Sequence, residues 1–138
     1  MMLLCLTAAA ARATAPLSVT GAWIRLLPGG LPAGGYFTLR NDGDHPVKLI
    51  GAKSPAYGSV MLHRSLQSQG ESGMVGVDTL TVPAHGQIRF APGGYHLMLM
   101  QPRAPLEVGG AVTVALEFDG GVTLEQIFVL RPASATGP

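Results

Sequence analysis

The sequence contains one cysteine, Cys5, among 138 residues. Cys5 lies in an apolar segment, Met1 to Ala11, which we predict to be part of a signal peptide or its remnant spanning residues 1–15. The small-x-small pattern Ala13-Thr14-Ala15 fits cleavage there, but no Lys or Arg precedes the apolar run, and the alternative is an apolar tail without a targeting role. Cleavage leaves a domain without thiols, which excludes a disulfide, a zinc–thiolate site, Cys-X-X-Cys redox chemistry and a blue-copper centre.

Charged residues are also scarce, at 12%, and the nine Lys and Arg balance eight Asp and Glu without forming a basic run. This distribution argues against a nucleic-acid partner. The sequence has no Ser-His-Asp order, Gly-rich phosphate loop or carboxylate pair of the kind that marks an active site, so we expect no enzymatic activity. The N-terminal apolar run is shorter than the roughly 20 residues needed to cross a bilayer.

The full sequence is 47% hydrophobic and contains 19 Gly. After the N-terminal segment, short apolar segments alternate with turn-forming residues. This pattern predicts an all-β domain, a Greek-key β-sandwich or barrel, over residues 16–131, followed by a flexible tail, 132–138. The predicted strands are Leu17 to Arg25, Gly35 to Asn41, Val47 to Lys53, Val60 to Ser65, Leu80 to Val82, Gln87 to Ala91, His96 to Met100, Val112 to Phe118 and Val122 to Leu130.

Two of the predicted strands each combine a His with Met residues. Because side chains alternate between the two faces of a strand, His96, Met98 and Met100 share a face opposite Leu97 and Leu99. The same rule places Met61 and His63 together on one face of the other strand. Met74 follows the Gly-rich turn Gly70 to Gly73, from which a loop would fold back over the site.

Imidazole and thioether groups without carboxylate or thiolate select Cu(I) over Mg, Ca, Mn or Zn, because thioether sulfur is a soft, neutral ligand. Thioethers also form no disulfides in an oxidising compartment, which agrees with an exported protein. The residue pattern therefore indicates a Cu(I) site that can later release its ion.

The spacing His63-x10-Met74-x21-His96-x-Met98 resembles, residue for residue, the pattern of the periplasmic copper chaperone family called PCu(A)C. The stretch from Pro92 to Met100, and segments at Ala22 to Arg25 and Tyr36 to Asn41, are also similar to that family. The resemblance runs from about Val19 to Leu130.

The resemblance implies a cupredoxin-like periplasmic domain that binds one Cu(I) ion through His63, Met74, His96 and Met98. We expect the protein to be a monomer. It also implies delivery of copper to the binuclear copper site of cytochrome c oxidase, either directly to subunit II or through a thioredoxin-like assembly factor. Many relatives have a C-terminal tail rich in His and Met, which this chain lacks. A second, tail-borne copper(II) site is therefore not expected.

Other residues near the pattern have simpler interpretations. Met61 and Met100 form either a hydrophobic rim around the metal or part of the core, and His45 and His85 are expected to be solvated turn residues. Trp23 and Tyr36 are predicted core aromatics. Two alternative functions stay open from the residues alone: a copper-free immunoglobulin-like interaction module, and a copper storage or resistance protein that uses the same ligands.

Overall fold

A computed structural model describes residues 16–68 and 71–138, which form an all-β structure of ten strands. The strands are β1 (Leu17–Arg25), β2 (Ala33–Asn41), β3 (Val47–Lys53), β4 (Tyr57–Ser68), β5 (Glu71–Gly76), β6 (Leu80–Val82), β7 (Gly86–Phe90), β8 (Tyr95–Pro102), β9 (Ala111–Phe118) and β10 (Thr123–Arg131). The described residues contain no α-helix, and only a short 3₁₀ turn, Asp119–Gly121, joins β9 to β10. The predicted all-β class is confirmed.

The strands form one continuous sheet in the order β5-β4-β8-β7-β2-β1-β10-β9-β3-β6, with a further pairing between β8 and β2. Most neighbours are antiparallel, but β1 pairs with β10, and β7 with β8, in parallel. The sheet folds over on itself, because β6 at one edge lies beside β2 and β7 in the middle of the order. Its inner surface therefore encloses a single core.

The core follows from period-two alternation, which turns the large apolar side chains of each strand inward. In β9, every second residue from Val112 to Phe118 is buried. Phe37 of β2 stacks on Phe90 of β7 with 4.3 Å between ring centroids, and meets Phe128 of β10 edge-on. The predicted core aromatics Trp23 and Tyr36 are both buried. Among the described side chains, β5 contributes none to the core.

The prediction that Met74 lies in a loop is wrong, because Met74 belongs to β5. The sequence predicts a turn here because Gly70, Gly73 and their polar neighbours typically interrupt strands. In the structure, β4 extends to Ser68, well past the predicted end at Ser65, and its backbone pairs with Glu71–Gly76 in antiparallel register. A neighbouring strand thus supplies hydrogen bonds that outweigh the weak strand preference of glycine.

The two chain ends were predicted to be a signal peptide and a flexible tail. Residues 1–15, including Cys5, lie outside the described residues. In the C-terminal segment, Ala135 O accepts hydrogen bonds from Arg25 Nε (3.1 Å) and Nη2 (2.7 Å). Among the described residues, no helix has the length and apolar character needed to cross a membrane.

Candidate metal centre

Three neighbouring strands, β5, β4 and β8, carry the four residues of the predicted site. The register pairs His63 with His96, Met61 with Met98, and Ser65 with Met74. Residues paired directly across strands share a face, as do residues two apart on one strand. His63, Met74, His96 and Met98 therefore all lie on the same face of the sheet.

On β4 and β8, the residues that alternate with the site residues point to the opposite face of the sheet, which packs into the core. Leu62 is 5% exposed, and Leu97 and Leu99 are 0% and 1% exposed. This alternation was predicted from the sequence, and the burial of the three leucines confirms it. A slip of one residue in either strand would put the His and Met side chains into the core, so core packing holds the cluster on the outer face.

The structure brings two of the predicted residues into direct contact, since His63 Nδ1 lies 3.3 Å from Met74 Sδ. The His63 and His96 rings meet edge-on, with 5.8 Å between their centroids. His96 Nδ1 lies 3.4 Å from Gly94 O. Because a carbonyl oxygen only accepts hydrogen bonds, this contact favours the proton on Nδ1 and leaves the lone pair of Nε2 available.

Exposure increases across the cluster from β8 to β5. His96 is buried, His63 and Met98 are half-buried, and Met74 is 53% exposed. Met98, His96 and Met74 line a cleft of about 300 Å³, whose other walls include Arg25, Tyr36 and the segment around Pro32. No carboxylate or thiol belongs to this lining. The cluster is thus a set of imidazole and thioether groups with one open side, at Met74.

Burial lowers the pKa of His96 below its ordinary value, and the nearby imidazole of His63 lowers it further, while the Gly94 carbonyl partly opposes both effects. His96 is therefore neutral at pH 7. Neutral imidazole is the form that binds a metal ion, because its lone pair is free of a proton.

The apo protein should lose stability as pH falls below the ordinary imidazole value of about 6.5. In that range the unfolded chain protonates His96 while the folded chain does not, so protons favour unfolding, with a slope of up to about 1.4 kcal/mol per pH unit until the lowered folded pKa is reached. Denaturant unfolding at several pH values measures this slope. His96→Gln should flatten it, whereas the exposed turn variant His45→Gln should not; an unchanged slope in His96→Gln would contradict the assignment.

On the β2 side of Met98 lie residues that the sequence pattern does not connect to the site. Gly34 of β2 pairs with Met98 across the β2–β8 ladder. Tyr36, which also lines the cleft, packs against Trp23 with 4.8 Å between ring centroids. The Arg25 guanidinium lies 5.4 and 5.5 Å from the centroids of those two rings. Only the three-dimensional pairing of β2 with β8 connects these residues to the cluster.

Gly34→Ala should destabilise the protein by about 1–3 kcal/mol, which is typical of overpacking. A Cβ at Gly34 would lie 2.7 Å from Tyr36 Oη, and the buried Tyr36 ring has little room to retreat from Trp23. Chemical denaturation measures the change. Gly51→Ala is the matched control, because a Cβ there meets no atom within 4 Å; equal effects of the two substitutions would refute the packing argument.

The remaining predicted residues lie as follows. Met61 is 44% exposed on the same face, which excludes core packing for it, and Met100 is half-buried and pairs with Ser59. His85 Nε2 lies 2.8 Å from Asp44 Oδ1, and both side chains are exposed. The His45 carbonyl accepts a hydrogen bond from the Asn41 amide. Among the described residues, no three His, Cys, Asp or Glu side chains come together in a way that could hold a metal ion.

Fold and cluster together define a class of small all-β domains that present imidazole and thioether groups on one sheet face. The family described as "Putative lipoprotein LpqE-like" matches residues 17–129, and the chain belongs to this family. The predicted resemblance to PCu(A)C domains is confirmed, as is the cupredoxin-like fold.

Solved structures and a curated protein illustrate the family. The chain is similar to the solution structure of CuI-DR1885 from Deinococcus radiodurans, with 36% identity, TM-score 0.69, and coverage of 87% of this chain and 81% of that one. It is also similar to the copper-bound PCuAC domain from PmoF2, with 25% identity, TM-score 0.70, and coverage of 87% and 96%. The "Putative lipoprotein Lxx21020" of Leifsonia xyli subsp. xyli (strain CTCB07) is 33% identical over 78% of this chain, which spans 64% of that protein.

Proposed function

We propose that this chain is an exported, non-enzymatic copper carrier that binds one Cu(I) ion through His63, Met74, His96 and Met98 and passes it to an acceptor protein. Similarity to a domain solved with copper and to CuI-DR1885 supports this proposal. The observation that carries it is the 3.3 Å contact between His63 Nδ1 and Met74 Sδ, beside the in-register pair His63 and His96.

The spacing of these atoms fits a shared metal ion. Metal bonds to nitrogen and sulfur of about 2.0 and 2.3 Å, as known for zinc, would span 3.3 Å at an angle of about 100°, close to tetrahedral. Cu(I) would bind the Nδ1 lone pair of the His63 tautomer that carries its proton on Nε2, so the imidazole stays neutral. The neighbouring His96 and Met98 lie on the same face and complete a set of two imidazoles and two thioethers.

The chemistry of this set favours a carrier over a permanent cofactor site. All four ligands are neutral, and the cleft lining has no carboxylate, so the set matches a soft monovalent ion and discriminates against Mg, Ca and Mn. Thiolates bind Cu(I) more strongly than thioethers, so an acceptor with cysteines would withdraw the ion. The exposed Met74 is the ligand that an acceptor reaches first.

Within this proposal, the acceptor is the binuclear copper site of cytochrome c oxidase, reached directly at subunit II or through a thioredoxin-like assembly factor. The carrier works as a monomer in the periplasm, and Met61 and Met100 form a hydrophobic rim beside the ion. The apolar N-terminal segment, and the lipoprotein description of the matched relative, both support export.

The proposal is tested by titrating residues 16–138 with Cu(I) in competition with a colorimetric chelator. We expect the protein to withhold one equivalent of Cu(I) from the chelator. If the chelator takes all of the copper, the carrier function is overturned in favour of the copper-free interaction module. The loaded protein is then mixed with the soluble copper domain of subunit II or with a thioredoxin-like factor. Copper that stays with the carrier in both mixtures would favour storage over delivery.

A further inference from the structure

Strand β5 forms one edge of the sheet and carries Met74. Among the described residues 16–68 and 71–138, β5 pairs only with β4. Natural edge strands are usually protected by Lys, Pro, a bulge or very short length. Strand β5 is six residues long, its register with β4 shows no bulge, and the stretch from Gly73 to Gly76 contains no charged residue and no Pro. A Cβ at either glycine would meet no atom within 4 Å. The edge beside Met74 is therefore open to another backbone.

The register shows which backbone groups this edge presents. Val77 N donates to Leu62 O, so the 62/77 pair is hydrogen-bonded. Hydrogen-bonded and non-hydrogen-bonded pairs alternate along an antiparallel ladder, which makes Ser65/Met74 and His63/Gly76 non-hydrogen-bonded pairs. The hydrogen bond that Ser65 N donates to Gly94 O is consistent with this assignment, because Gly94 lies on the opposite side of β4. The N–H and C=O groups of Met74 and Gly76 therefore point outward from the sheet edge.

We infer that β5 is the docking edge for the copper acceptor, which adds an extended, cysteine-bearing segment to it as a further antiparallel strand. This inference rests on the proposed carrier function. A residue paired with Met74 in the added strand would share its face, with Cβ atoms about 4.5–5.5 Å apart. A second residue two positions along would face Gly76, where the missing side chain leaves space above the sheet.

Charge also favours a thiolate-bearing occupant. Arg25 lies in the wall of the cleft, and the cleft lining has no carboxylate that would repel a thiolate. On the back of the hairpin, Val75 of β5 is 44% exposed and would pack against the added strand. During transfer the thiol loses its proton to solvent, a thiolate–copper bond forms as the Met74–copper bond breaks, and copper stays Cu(I).

The test follows Cu(I) transfer from the loaded protein to the peptide Thr-Cys-Thr-Cys-Thr by stopped flow. The control peptide is N-methylated at both cysteines, which keeps the thiols and removes the two N–H donors that would face Met74 and Gly76. We expect the unmodified peptide to accept copper about fivefold to tenfold faster, the effect of one or two hydrogen bonds. Amide signals of Met74 and Gly76 should shift with the unmodified peptide only.

Two variants of the protein give an independent check. Gly76→Pro removes an outward N–H without removing a hydrogen bond to β4. This variant should therefore transfer copper to both peptides at the same rate. Gly76→Ala keeps the N–H and should preserve the difference between the two transfer rates. Equal rates for both peptides with wild type, while one Cu(I) is still bound, would overturn the docking edge and leave the carrier function intact. A dimer of the loaded chain in sedimentation that Gly76→Pro dissociates would also overturn it, because a second copy would occupy the edge. Absence of Cu(I) binding would overturn both proposals.

Discussion

Replacing His96 by alanine should weaken Cu(I) binding by about a hundredfold or more, since even residues that only support metal ligands cost about 10- to 100-fold when lost. His96 is the most buried member of the cluster and pairs directly with His63. Its removal takes away one of two imidazoles and opens the base of the site to water. The measurement is competition with a Cu(I) chelator at pH 7.

His45→Ala is the matched control for this substitution. His45 is exposed in the turn before Pro46, remote in sequence from the cluster, and its side chain should have no part in copper binding. Circular dichroism and denaturation establish that both variants fold. Comparable affinities of His96→Ala and wild type would refute the role of His96, and a large loss in His45→Ala would place the copper elsewhere.

Copper affinity should also depend steeply on pH on the acidic side. Each imidazole must be neutral to bind. Below the pKa of one coordinating histidine, the affinity therefore falls about tenfold per pH unit. Below the pKa values of both histidines, it falls about a hundredfold per pH unit. Burial lowers the pKa of His96, so its contribution should survive below the ordinary value of about 6.5. The measurement is the competition titration repeated from pH 7.5 to pH 4.5.

The shape of that profile distinguishes the ligands. In His63→Ala, only the buried His96 would respond to protons, so the decline should begin at lower pH than for an ordinary imidazole. The thioethers do not titrate and should retain weak binding at the acidic end. A flat profile down to pH 4.5 would show that neither histidine coordinates the ion.

Much of this architecture could be predicted from local sequence patterns. Alternation along β8 placed His96 and Met98 opposite Leu97, and the structure confirms this arrangement through the burial of the leucine. The pairing of His63 with His96 could not be predicted from alternation alone, because β4 and β8 are distant in the chain and their register depends on packing of the whole sheet.

Two features of the site escaped prediction for physical reasons. Met74 lies in a Gly-rich stretch with weak strand preference, and only its pairing with an extended β4 makes it part of a strand. The support around Met98 depends on Gly34 and Tyr36, which approach through the β2–β8 ladder. In both cases the position of the residue depends on pairing with a strand that is distant in sequence. A short segment of sequence contains no information on that pairing.

The proposed coordination is a single Cu(I) ion held by two imidazoles and two thioethers on this face of the sheet. X-ray absorption at the copper edge of protein loaded with one equivalent tests it most directly. We predict a Cu(I) edge with two nitrogen and two sulfur neighbours, and one sulfur fewer in Met98→Ala. A shell of nitrogen and oxygen only, or a spectrum unchanged by Met98→Ala, would contradict this coordination.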